Sequence, residues 1–137
     1  MTWIPYNQRK DISMSDLVGL TFASVENQGD AIEFKTTDGR MFLMYHEQDC
    51  CESVRVDDIT GDLSDLIGEP ILLSEEVAGD TANTPGFDSD YEPESYTWTF
   101  YKLATRKGYV DIRWLGTSNG YYSEHVDLIE VLEPQDD

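Results

Sequence analysis

The chain has 137 residues, 39% hydrophobic and 12% aromatic, with 28 acids against 9 bases and a formal charge of −19. The hydrophobic share suffices for one domain with a real core and excludes wholesale disorder. The charge argues against direct binding to nucleic acid or an anionic membrane, both of which repel it, but is compatible with an acidic surface that competes with nucleic acid for a basic protein.

The N-terminal run MTWIPYNQRK has no apolar leader, and no stretch approaches the ~18 apolar residues that read as a membrane helix. The expectation is a cytoplasmic protein of one domain, 1–137, with a flexible N-terminus over about 1–12. Met14 to Val18 reads as one helical turn. Leu20–Glu26 and Ala31–Thr36 are β-rich runs joined by Asn27-Gln28-Gly29-Asp30, and Ile32 and Phe34 alternate with Glu33 and Lys35 as in a strand with one buried face. After the Thr37-Asp38-Gly39 turn, Arg40–His46 is apolar on both faces, so it reads as a central strand.

That strand delivers the most reactive stretch of the chain, Tyr45–Leu66, to the rim of a sheet: YHEQDCCESVRVDDITGDLSDL. Val54–Ile59 within it reads as a strand. Gly61 to Gly68 reads as a short helical turn, with an N-cap at Asp62 or Gly61 and Gly68 as its stop. Pro70–Val77 returns as a strand. Residues 78–94, AGDTANTPGFDSDYEPE, carry two prolines, two glycines, five acids and no base, and read as an irregular, disordered loop. Tyr96–Ala104, Tyr109–Leu115 and His125–Leu132 are aromatic and branched strands, turned at Arg106-Lys107-Gly108 and, by a tight hairpin, at Ser118-Asn119-Gly120. The tail 133–137 is expected to fray. The fold class is mainly β (α+β), an antiparallel sheet or meander of about seven or eight strands with one or two short helices.

Three kinds of chemistry could draw on these residues. His46, Glu47, Asp49, Cys50, Cys51 and Glu52 offer metal ligands, but adjacent cysteines on an extended chain point to opposite sides and Cys-x-x-Cys hooks are missing, so no metal is expected. A bond between neighbouring cysteines would need a strained ring, so both read as free thiols of a reducing compartment. A thiol triad of Cys50 or Cys51 with His46 or His125 lacks an electropositive setting. Asp57, Asp58, Asp62 and Asp65 lack the spacing of a calcium loop, and no carboxylate pair stands out for acid–base hydrolysis.

Charge is unevenly spread. Glu47 to Glu94 holds fifteen acids and one base, Arg55, whereas Lys102 to Arg113 holds four bases and one acid. Half of the sixteen aromatics lie between Tyr96 and Tyr122. A basic, aromatic spot on an acidic protein suits a compact anion with a flat ring, such as a nucleotide.

Taken together, HEQDCCESVRVDDITGDLSDLIGEPIL and TWTFYKLATRKGYVDIRWLGTSNGYYSEHVDL resemble an uncharacterised family of small acidic proteins met mostly in tailed-phage genomes and prophages, over roughly residues 17–132. The resemblance implies a phage accessory protein made in the host bacterial cytoplasm, and it brings no known activity. Three functions follow. The first is a stoichiometric counter-defence protein that sequesters a nucleotide-like signal in a pocket of His46, Asp49, Cys50, Glu52, Lys102, Arg113, Trp114, Ser118, Asn119, Tyr121, Tyr122 and Ser123. The second is an acidic nucleic-acid mimic that blocks a CRISPR, restriction or other DNA-binding complex through Asp80, Asp88, Asp90, Glu92 and Glu94. The third is a small hydrolase or thiol enzyme centred on His46 and Cys50. No cofactor and no membrane partner are expected, and a homo-oligomer is allowed.

Overall fold

The computed structural model describes residues 8–48, 50–78, 95–119 and 123–132. Nine strands follow in order: β1 (Arg9–Asp11), β2 (Phe22–Asn27), β3 (Ala31–Thr36), β4 (Met41–Tyr45), β5 (Ser53–Thr60), β6 (Leu73–Ala78), β7 (Ser95–Thr105), β8 (Gly108–Ser118) and β9 (Asp127–Val131). They make two antiparallel sheets, ordered β1-β9-β4-β3-β2 and β5-β8-β7-β6. Mainly β is therefore the observed class. The two expected helices are single 3-10 turns, Met14–Leu17 and Leu63–Leu66, and the described residues contain no α-helix. Asp62 caps the second turn, its carboxylate accepting from Ser64 N–H at 2.9 Å.

The sheets pack face to face because period-two patterning gives each an apolar side. Phe22, Ile32, Phe34, Phe42 and Met44 from one meet Tyr101, Leu103, Val110, Ile112 and Trp114 from the other in a single buried cluster. Met14 and Leu17 from the first 3-10 turn and Leu66 from the second close its margin. The second face of β4 is buried too. Leu43 and Tyr45 pack there with Ala31, Ile129 and Val131, which explains why β4 reads as apolar on both sides and why it sits in the middle of its sheet.

Two expectations are corrected. The N-terminus is not free up to residue 12: Arg9–Asp11 pairs with β9, and Ile12 N–H donates to Leu128 O at 3.1 Å. Three polar residues, RKD, carry no hydrophobic alternation, so this strand exists only through the neighbour that it pairs with. Nor is Ser118-Asn119-Gly120 a hairpin. β8 pairs with β5 and β7 whereas β9 pairs with β4 and β1, so the connection crosses from one sheet to the other. The expected irregular loop, apart from Ala78, and the frayed tail lie outside the described residues. No described helix is long and apolar enough to cross a membrane.

Candidate functional site

His46 follows β4 and turns its ring inward. Nδ1 lies 2.6 Å from His125 O and Nε2 lies 2.7 Å from Glu52 Oε2. A carbonyl oxygen only accepts, so Nδ1 is the donor in the first contact, and Nε2 faces the carboxylate. Both side chains are buried, at 4% and 0% exposure, where a carboxylate persists only with its partners in place. The other Glu52 oxygen accepts Cys50 N–H at 2.9 Å and Gln48 Nε2 at 3.3 Å, and Gln48 Nε2 also donates to Glu52 O at 2.6 Å. The stretch after β4 is thus wrapped around one buried carboxylate. Both ring nitrogens of His46 are engaged, which gives the imidazole a fastening role.

The cysteines correct the expectation of free thiols. Cys50 and Cys51 are joined in a disulfide. The premise that failed was the extended chain: the backbone bends at both residues, so the side chains do not diverge. Among the described residues no group of three His, Cys, Asp or Glu side chains is placed to hold a metal. Asp49 lies outside the described residues.

The second signature closes on another buried carboxylate. Glu124 accepts from Thr97 Oγ1 and Ser118 Oγ, both at 2.6 Å. Burial opposes its charge, but the Ser118, Thr97 and Ser95 hydroxyls together with nearby His125 outweigh burial and hold the carboxyl below its ordinary range. Gly116 makes room for it: a Cβ there would stand 2.7 Å from Glu124 O. The two signatures therefore meet, through the bond from His46 to His125 O. Ser118 is half-buried, Asn119 and Ser123 are exposed, and Tyr121 and Tyr122 lie outside the described residues.

The residues expected to hold an anion separate. Trp114 is fully buried between the sheets, its Nε1 donating to Met44 Sδ at 3.3 Å. Arg113, its chain neighbour, points the other way. Nε and Nη2 lie 2.8 and 2.6 Å from Asp57 Oδ2, and the guanidinium stands 5.3 Å over the Trp98 ring. Asp57 is available because β5 slips register against β8 between Val56 and Asp58. Lys102 is exposed and flanked across the strands by Glu75 and Asp111. Asp80, Asp88, Asp90, Glu92 and Glu94 lie outside the described residues.

One feature escaped sequence reasoning altogether. Beside β1 and β9 two adjoining hollows, of about 290 and 330 Å³, share Asp11 and Asp127 in their walls. Glu76 and Tyr101 line the first, Glu47 and Tyr45 the second, and Ile12, Met14 and Leu128 give the first an apolar floor. Tyr101 O–H donates to Glu76 Oε1 at 2.7 Å, and burial pushes its phenol far up. Arg9 is the one cation among these lining residues, and its Nη1 is already engaged by Glu47 Oε2 at 2.6 Å and Tyr45 Oη at 2.5 Å. The lining comes from β1, the end of β4, β6, β7 and β9, so no local motif could have marked it.

The chain belongs to the family described as Domain of unknown function (DUF7448), whose model matches residues 15–128. No curated protein and no solved structure matches the chain significantly.

Proposed function

We propose that this protein works stoichiometrically, by binding, as an acidic partner of a basic host protein whose nucleic-acid surface it occupies. The observation that carries this reading is where the positive charge goes. Five of the nine bases are spent inside the chain, in Arg9–Glu47, Lys35–Glu33, Arg40–Glu130, Arg106–Glu69 and Arg113–Asp57. The acidic excess has no such internal answer, and a charged surface of one sign steers a partner of the other. The hollow walled by Asp11, Glu76 and Asp127 suits a lysine or arginine side chain better than a phosphate. In the phage setting that the resemblance suggests, the target would be a CRISPR, restriction or other DNA-binding defence complex in the bacterial cytoplasm.

A salt titration of binding to such a complex tests this. Affinity should fall steeply with salt, and charge reversal by Asp11→Lys with Asp127→Lys should weaken it on the order of tenfold or more. Reversals at Asp80, Asp88, Asp90, Glu92 and Glu94 should weaken it further. Affinity indifferent to salt and to every reversal would end the proposal.

A second reading, sequestration of a nucleotide-like signal, draws on a different observation. Arg113 lies over Trp98 on the outer face of the four-stranded sheet, with Lys102 also directed away from the core, but the Trp98 ring is only 5% exposed and a stacking ligand would have to uncover it. It would require Arg113 to leave Asp57. The arrangement around His46 gives least to an enzymatic reading, because its nitrogens already bind Glu52 and His125.

A further inference from the structure

We propose that Cys50–Cys51 is a reversible two-electron redox site, opened by thiol reductants, that controls the fastening between the two signature stretches. Three observations lead there. The bridged residues are neighbours, so the bond closes almost no chain and constrains the unfolded state far less than a bond across a long loop. A bond in that position contributes little as a staple. Both cysteines are exposed, within reach of a reagent in solution, and exposed disulfides are the labile and regulatory kind. Their backbone is also part of the fastening: Cys50 N–H donates to Glu52 Oε1 and Cys50 O accepts from Gln48 Nε2 at 3.2 Å. Glu52 in turn holds His46, and His46 holds His125 O. Any change in the backbone at Cys50 reaches the connection between the sheets through three hydrogen bonds.

The exchange balances with a dithiol reductant. Its thiolate attacks one cysteine sulfur, the S–S bond breaks, and the electron pair leaves on the other sulfur, which takes a proton from water. The second thiol of the reductant then attacks the mixed disulfide, freeing the first cysteine and closing the reductant's own disulfide. Two electrons and two protons pass to the protein. The charge of −19 adds a preference: an anionic thiol such as glutathione is repelled, a neutral dithiol is not, and salt should narrow the gap.

The test uses the whole chain, folded, without denaturant. Maleimide labelling followed by mass measurement should count no labels on the oxidised protein and two after a neutral dithiol, with oxidised glutathione restoring the unlabelled state. Amide and imidazole resonances of Cys50 and His46 should shift between the forms, while those of Trp98 to Ile112 stay put. Cys50→Ser with Cys51→Ser should reproduce the open form; should it not fold, the reduced wild type supplies the same comparison. Two labels on protein held under oxidant would overturn the proposal, as would a bond that resists the dithiol in the folded state. Opening without any shift at His46 would remove the control over the fastening. Because no partner takes part, these outcomes are independent of whether the binding function holds.

Discussion

Glu52 and Glu124 are both buried carboxylates, each closing one signature stretch, yet they are satisfied by different chemistry. Glu52 faces an ionisable partner, His46, together with backbone and amide donors. Glu124 faces the hydroxyls of Ser118 and Thr97, with Ser95 adding to the same effect. A histidine–carboxyl pair in a dry site is lost as a unit, because either half alone is a desolvated polar group. Hydroxyl donors instead share the load, and each loss is partial. Dense polar clusters in this sequence are thus fastenings for a two-sheet shell, and charge free to act outward lies elsewhere.

The largest effect should come from breaking the first fastening. Glu52→Ala leaves the His46 ring buried without its carboxylate partner and frees Cys50 N–H, while Gln48 keeps its bonds to backbone oxygens, so a loss of about 3 kcal/mol or more is expected in urea unfolding. His46→Ala in the same background should add little, since the pair is already gone. Additive losses would mean that the two residues act separately and that the paired description is wrong.

The second fastening should announce itself through pH. The folded carboxyl of Glu124 lies below its ordinary 4.5, so its contribution is fully present above that value and is lost as pH falls through the lower, folded one. Wild type should therefore lose stability on acidification below about 4.5, and Glu124→Gln should flatten that limb while costing on the order of 1 kcal/mol at neutral pH. An identical acid limb in the variant would remove the three-hydroxyl account.

How far the sequence could reach follows from the range of each signal. Alternation at Ile32 and Phe34, and the doubly apolar β4, are local patterns that survive folding, and they placed most strands to within two or three residues. Turn chemistry at Ser118-Asn119-Gly120 is equally local, but it cannot say which sheet the next strand joins; the crossing between layers was missed for that reason. The site suffered more, because its decisive contacts are distant in sequence. Asp57 is 56 residues from Arg113, and His125 is 79 from His46. A basic, aromatic segment thus looked available for an anion when two of its cations, Arg106 and Arg113, were already committed to Glu69 and Asp57. Gly61 shows the same limit on a smaller scale: its φ of +101° could be guessed from a turn, but the approach of Tyr109 O, 2.6 Å from where a Cβ would sit, could not.

The smallest structural effect belongs to Arg113, and it separates the two binding readings. Its pair with Asp57 is partly exposed, at 31% and 21%, so solvent screens it and the bond contributes about 0.2–1 kcal/mol, with a similar amount from Trp98. Arg113→Ala should therefore unfold only slightly earlier than wild type. Against that quiet background, ligand content becomes readable. If the protein sequesters a nucleotide, wild type purified from nucleotide-producing cells should carry it into mass spectrometry and Arg113→Ala should not. A wild type that arrives empty and shows no thermal shift with nucleotides ends that reading. Retention of the ligand by the variant would instead move the site away from Trp98. Neither result disturbs the acidic hollow at Asp11 and Asp127, whose walls come from other strands and whose partner would be a cation.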